Sequence, residues 1–407
     1  MTRPSRIRTL VLRLRSDSRH SYYDDWEDAF TGHPAFDAAT ADIRSGRSLA
    51  RIRKTIGEYD LVVLLHSTNA DSMNDLDRYS GVLCERRGKL LVLVGNEVNL
   101  PGISMVEKIA FLRNVEADFI GTQLPLEAGE WLYAECDRSR VVPLPHALNP
   151  ASFRPVVPQA RREIDIGVRS FAYYPFLGDD ERNRLLRFFS THVFEPPLPV
   201  DIRTDVRLDR AGWANFLNRC KGTVSTEAGS YYLERDDRTV EAIQAFLAEK
   251  HDGKGGYTVP KGSIVEKAWY SIPPALRSVL KGTLVSAGIR NESTMAAAAS
   301  FREIEERFFH GRPRPPVHSK AISSRHFDAV GTKTCQVLMR GKYNGILRPD
   351  EHYIPVEIDL SNVEEAISRF RDASFRCAMV DRAYEYVMQE HTYRNRMAEI
   401  LRWMEAV

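Results

Sequence analysis

The sequence predicts an α/β protein of two Rossmann-like domains that face each other across a cleft. Three observations carry this. Short continuous apolar runs occur at residues 60–66 and 89–95, amphipathic stretches lie between such runs, and a proline-rich break near residue 150 is followed by a second round of the same alternation. Continuous apolar strands spaced by amphipathic helices are the pattern of a parallel sheet covered on both faces.

Taken in order, Ile7 to Leu14 reads as the first strand, and a helical pattern fills residues 42–56. Asp60-Leu61-Val62-Val63-Leu64-Leu65-His66 reads as a buried strand, residues 72–86 as a helix, and Lys89-Leu90-Leu91-Val92-Leu93-Val94-Gly95 as another buried strand. Ala117 to Gly121 and Val141 to Leu144 are weaker strands. Ligands of such sheets bind beyond the carboxyl ends of the strands, which singles out His66, Ser67, Gly95, Asn96 and Glu97. Pro143-Leu144-Pro145-His146-Ala147-Leu148-Asn149-Pro150 and Phe153-Arg154-Pro155 hold too much proline for a regular element. They read as a hinge, which divides the chain at 1–150 and 151–390.

The second unit opens with a strand at Ile164 to Val168 that ends at Arg169-Ser170. A helix over 179–189, a strand over 200–203, a helix over 208–219 and a strand over 222–226 ending at Glu227 follow. Between about 238 and 320 the pattern loosens. His251-Asp252-Gly253-Lys254-Gly255-Gly256 suggests a flexible loop and Ile272-Pro273-Pro274 a helix break, so this stretch reads as an insertion. Alternation resumes at Ile322, with closing helices over 363–371, 377–387 and 394–406, the segment 391–407 expected to brace the first unit.

The chain has 407 residues, 43% hydrophobic and 28% charged, enough for two separate cores. A net charge of +2 speaks against nucleic acid as a partner and against a strongly anionic surface, leaving only peripheral membrane contact open. The five cysteines, Cys84, Cys136, Cys220, Cys335 and Cys377, are scattered and show no metal-ligand spacing. They fit a reducing cytoplasm and no bound metal. No apolar stretch approaches the roughly 18 residues of a membrane-spanning helix, and Arg8, Arg13 and Arg15 interrupt the early apolar run expected of a signal peptide.

The chemistry-bearing motif is Arg325-His326-Phe327-Asp328-Ala329-Val330-Gly331-Thr332. A cation and a carboxylate three residues apart on one helical turn, with a glycine at its end, suit a nucleotide diphosphate sugar: the cation meets phosphate and the carboxylate meets ribose hydroxyls. With the hinge, with Tyr22-Tyr23-Asp24-Asp25-Trp26, and with Gly95-Asn96-Glu97, Asp165 to Ser170, Glu227-Ala228-Gly229-Ser230, Tyr343 to Leu347 and His391-Thr392-Tyr393, the chain resembles GT-B glycosyltransferases. Within them it resembles the family 1-like group similar to the spore maturation protein CgeB.

The resemblance implies sugar transfer from a nucleotide-sugar co-substrate, without a metal, to a glycan, glycolipid or protein acceptor. Arg169, Ser170 and Arg325 would meet the diphosphate, with an ion pair to Asp179 or Asp180 as the structural alternative for Arg169. Asp328 would hold the ribose, and Gly331 would close the helix with a left-handed backbone that brings Thr332 near the cleft. Glu97, Glu227 and His66 are the candidates for orienting or deprotonating an acceptor hydroxyl. His146 and Asn149 would lie at the hinge and cleft, and Tyr22, Tyr23 and Trp26 offer aromatic faces for sugar rings. Many retaining enzymes of this fold place a carboxylate eight residues before the second acid, and here that position is Lys320. Two other functions stay open at this stage. One is a catalytically silent nucleotide- or glycan-binding protein, the other a nucleotide-sugar epimerase.

Overall fold

A computed structural model describes residues 6–15, 20–70, 72–252, 257–258, 289–290 and 301–405. Its first sheet has six parallel strands: β1 (Ile7–Arg13), β2 (Phe36–Asp42), β3 (Leu61–Leu64), β4 (Lys89–Leu93), β5 (Phe119–Thr122) and β6 (Arg140–Pro143), in the order β2-β1-β3-β4-β5-β6. The crossovers are α1 (Ser21–Gly32), α2 (Gly46–Thr55), α3 (Ser80–Cys84), α4 (Met105–Asn114) and α5 (Leu126–Leu132). β3 is buried along its whole length, as its unbroken Leu-Val-Val-Leu run requires. β2 does not stand out in the sequence. Phe-Asp-Ala-Ala-Thr-Ala-Asp is a sheet edge with only Phe36 and Ala41 buried, so no apolar run marks it. The helix expected from 42 therefore starts at Gly46, and the one expected over 72–86 shrinks to a 3-10 turn and α3.

The second sheet has five parallel strands, β7 (Ile164–Arg169), β8 (Val200–Arg203), β9 (Cys220–Ser225), β12 (Cys335–Met339) and β13 (Ile354–Val356), in the order β13-β12-β9-β7-β8. Among the described residues, β10 (Tyr257–Thr258) and β11 (Ile289–Arg290) pair with each other. The helices are α6 (Glu181–Thr191), α7 (Arg210–Arg219), α8 (Arg238–Asp252), α9 (Phe301–Ile304), α10 (Ser324–Gly331), α11 (Val363–Arg371), α12 (Ala373–Glu390) and α13 (Tyr393–Glu405). α8 packs Val240, Ile243 and Leu247 against Phe176, Ile304 and Phe309. The expected loop at Gly253 to Gly256 and the break at Ile272-Pro273-Pro274 lie outside the described residues. Among the described residues, no helix is long and apolar enough to cross a membrane.

The chain crosses between the sheets twice, and the two crossings pair. Leu148 N–H donates to His391 O (2.9 Å), and Tyr393 N–H donates to Leu148 O (3.1 Å). After the second crossing α13 lays Tyr393, Met397 and Ile400 into the first sheet's core beside Trp26 and Phe30. Opposite the hinge, Asp237 accepts from Met105 N–H (2.7 Å) at the start of α4 and from Asn99 Nδ2 (2.7 Å). Asn344 Nδ2 also donates to Gln123 O (2.9 Å). The two units are therefore tied on both sides of the cleft.

Candidate functional site

The strand ends of both sheets line one cavity of about 600 Å³, within the range of small-molecule sites. The first unit contributes Asn96 and Glu97 after β4, Gln123 after β5 and His146 after β6. From the second come Phe171 to Tyr174 after β7, Arg207 after β8, Ala228 and Gly229 after β9, and Ser323 to Arg325 at the start of α10.

Arg182, Arg207 and Arg325 line the polar wall. Arg325 Nη1 donates to Ser170 Oγ (2.6 Å). Burial and then the like charges of Arg182 and Arg207 pull its pKa down to about 10, against smaller support from Tyr173 and Asp328. It remains a cation at neutral pH, but one whose surroundings oppose its charge more than they support it. Arg182 stands on α6 with its guanidinium 4.0 Å over the Tyr173 ring, and Nη2 reaches the Glu227 carbonyl at 3.4 Å. Its Nε is buried without a partner among the described residues. The sequence hides Arg182 among Asp179, Asp180 and Glu181. In the structure Lys320 takes Asp179 and Glu181, and Arg184 takes Asp180, so Arg182 is left facing the cavity.

Asp328 lies on α10 beside this wall. Its Oδ2 accepts from Trp213 Nε1 (3.0 Å), and the Ser21 hydroxyl also donates to the carboxylate. Burial, then the neighbouring Asp25, hold the Asp328 carboxyl well above its ordinary range. The space next to it, between His20, Ser21, Arg207 and Trp213, is only about 40 Å³. That is room for one or two waters and not for a nucleoside.

Asp25 ties α1 to the second unit by accepting from Asn149 Nδ2 (2.7 Å) and Arg210 Nη1 (2.9 Å). Burial nevertheless raises its carboxyl to about 6. A raised folded pKa means the folded state holds the proton more tightly, so stability falls as pH climbs from about 4 to about 6, and the cost stays in full above that window. Asp25→Asn should remove this slope, worth roughly 2–3 kcal/mol. Urea unfolding at pH 4.5 and 7.5 should show the wild type losing more stability than the variant. Parallel losses would show that this carboxyl is not raised.

Several expected site residues are placed otherwise. Arg169 borders the small space beside Asp328 but not the 600 Å³ cavity, and its guanidinium is committed to the neighbouring strand, with Nη2 to Asp201 Oδ2 (2.7 Å), Nη1 to Asp201 O (3.0 Å) and the group 3.9 Å over Phe216. It is an ion pair, although not with Asp179 or Asp180. Glu97 borders the cavity, but its carboxylate is committed to Thr122 Oγ1 (2.7 Å), Tyr133 OH (2.7 Å) and Gln123 N–H (2.8 Å). It fixes the turn after β5. Glu227 accepts from Tyr343 N–H (2.7 Å) and packs against Gly341, holding the loop after β12. His66 is fully buried behind Tyr22, Trp26 and His146 and does not reach the cavity.

Gly331 is not the left-handed residue that ends α10; that is Lys333, with φ 53°. Gly331 is needed because a Cβ would sit 2.4 Å from Leu148 Cδ1 and 2.6 Å from Phe153 O, where the helix meets the hinge. Thr332 is buried, its hydroxyl donating to the Asp328 and Ala329 carbonyls. The structure does bring together Ser170, Arg325, Asp328, His146 and Asn149 around the cleft and hinge, and Tyr22 lines the cavity. Trp26 is buried behind it.

Residues 305–402, under half of the chain, match the family model described as glycosyl transferase-like. No curated protein matches the chain. Among solved structures, an alpha-glucosyltransferase in complex with UDP and a DNA 13-mer aligns with a TM-score of 0.51 at 11% identity, over 99% of this chain and 100% of that one. The HepE protein of Anabaena in complex with UDP-glucose aligns at 0.49 and 9% identity, over 98% and 100%. Sucrose-phosphate synthase of Thermosynechococcus elongatus aligns at 0.48 and 10% identity, over 98% and 100%. The fold is thus that of the GT-B proteins, two parallel-stranded α/β units across a cleft. In its C-terminal part the chain is similar to the glycosyl transferase-like family.

Proposed function

We propose that the protein is a glycosyltransferase that moves a sugar from a nucleotide-diphosphate donor to an acceptor hydroxyl of a glycan, glycolipid or protein, without a metal, in the cytoplasm. The hinge and the Arg325 to Asp328 motif support a place in the CgeB-like group. The observation that carries this reading is the pair Arg182 and Arg325, two cations facing a cavity at the strand ends of both sheets and short of negative charge. Sugar transfer leaves a diphosphate behind, and cations fixed beforehand at the leaving oxygens lower the barrier to its departure. Asp328 would take the ribose hydroxyls in place of Ser21 and Trp213, and closure between the two units would keep water from competing with the acceptor.

Thermal unfolding with UDP, GDP, ADP, dTDP and CMP tests the donor site. UDP is the first choice, because the aligned alpha-glucosyltransferase holds it. The matching nucleotide at about 100 times its Kd should add roughly 2.7 kcal/mol of stability. No response to any of them would sink the reading. One observation favours a second reading, nucleotide binding without turnover: Glu97 and Glu227 are both committed to structural hydrogen bonds. Stabilisation by a nucleotide, with no diphosphate released from its sugar ester in the presence of any glycan acceptor, would favour it.

A further inference from the structure

We infer that His146 is a hydrogen-bond donor to the sugar of the bound donor, through Nε2–H, and that Trp26 is the positioning residue that fixes this tautomer. The inference rests on the nucleotide-sugar reading and names a contact within it. Trp26 Nε1 lies 3.2 Å from His146 Nδ1. An indole N–H can only donate, so Nδ1 must be the unprotonated nitrogen, and the single proton of a neutral ring then sits on Nε2.

The surroundings keep the ring neutral and still. Burial, then His66, His20 and Arg396, hold its pKa well below the usual imidazole value. Tyr22 lies against it with ring centroids 4.2 Å apart, and His66 at 5.0 Å. Trp26 is itself fully buried, edge-on to Tyr393 at 5.0 Å. The backbone under the ring is held by Arg396, whose Nε donates to Pro145 O (2.9 Å). His146 is 3% exposed and borders the 600 Å³ cavity.

This arrangement excludes some roles and selects another. The basic nitrogen is occupied by the indole, so His146 is not a base for an acceptor hydroxyl. A neutral N–H is a poor match for a diphosphate compared with Arg182 and Arg325, which stand on the second unit's wall. His146 comes from the opposite wall, at the end of β6. A donor whose diphosphate rests on the two arginines extends its sugar across the cavity towards this N–H. A sugar hydroxyl or ether oxygen is the uncharged acceptor that such a group suits.

Two measurements test this. Nitrogen-15 spectra of the histidine-labelled protein, with the His146 signal found by its loss in His146→Gln, should show the Nε2–H tautomer unchanged from pH 5.5 to 8. In Trp26→Phe the same ring should become a mixture of tautomers. A protonated Nδ1 or a ring that titrates in the wild type would overturn the inference. Calorimetric titration with UDP and with UDP-glucose, or with the diphosphate and glucosyl ester of whichever base stabilises the fold, gives the second readout. His146→Ala should leave the diphosphate Kd unchanged and weaken the sugar ester about five- to tenfold, the scale of one neutral hydrogen bond. His146→Gln, whose amide nitrogen falls near the Nε2 position, should restore it. Equal weakening of both ligands would overturn the role in sugar binding alone. A wild type that binds neither would overturn the nucleotide-sugar reading itself, and the inference with it.

Discussion

Replacing Arg325 with alanine should cost about 10²- to 10³-fold in sugar transfer, the scale of losing one preorganised charge donor at a leaving group, and should not destabilise the unliganded protein. The two halves of this expectation have one cause. Arg325 sits among Arg182 and Arg207 in a partly buried site, and its charge is opposed more than it is supported there. Without an anion the guanidinium is a liability held in place by the fold; with a diphosphate it gains charge-assisted hydrogen bonds. Urea unfolding of Arg325→Ala without ligand should therefore show a stability equal to the wild type or slightly higher. Titration with the nucleotide that stabilises the wild type should show little binding. A variant that binds as tightly as the wild type would remove Arg325 from the site, and one that unfolds much earlier would make it a structural residue. Arg325→Lys should fall between, because a single ammonium cannot both hold Ser170 and span two phosphate oxygens.

How much of this is legible in the sequence depends on how local each cause is. The buried strands β3 and β4 show themselves because every residue of such a run faces a covered surface. β2 does not, because an edge strand needs few apolar residues. Arg325 and Asp328 are legible as a pair because helical spacing alone puts them side by side. Arg169 misleads because its partner, Asp201, is set by strand register: Gly167 pairs with Asp201 and Arg169 with Arg203, which brings the carboxylate alongside. Glu97 and Glu227 stand at strand ends, where a parallel sheet places its chemistry. What uses up their oxygens comes from Tyr133 and Tyr343, 36 and 116 residues away. Arg182 escapes notice for the converse reason. The three acids before it look like its partners, and only the fold shows that Lys320 and Arg184 have taken them.

Lys320 carries the largest expected stability effect. It is 2% exposed, and its ammonium lies 2.7 Å from Asp179 Oδ2 and 2.8 Å from Glu181 Oε2, at the start of α6. The two carboxylates raise its pKa above the ordinary lysine value. For a base this means a stabilisation fully present below about pH 10, lost only as pH rises through the higher folded value. Lys320→Met should thus cost roughly 3–5 kcal/mol at neutral pH, since it strands two carboxylates away from water. Most of that cost should be the stranded acids and not the lost attraction. The triple variant Lys320→Met, Asp179→Asn, Glu181→Gln should therefore regain much of it, and urea unfolding of both variants beside the wild type is the measurement. Equal loss in the two would place the cost in packing around the lysine stem. The lysine of this triad is the residue eight positions before Asp328. With its ammonium held by Asp179 and Glu181, Lys320 does not line the 600 Å³ cavity. On the proposed function, Arg182 and Arg325 are then the cations that would meet the diphosphate.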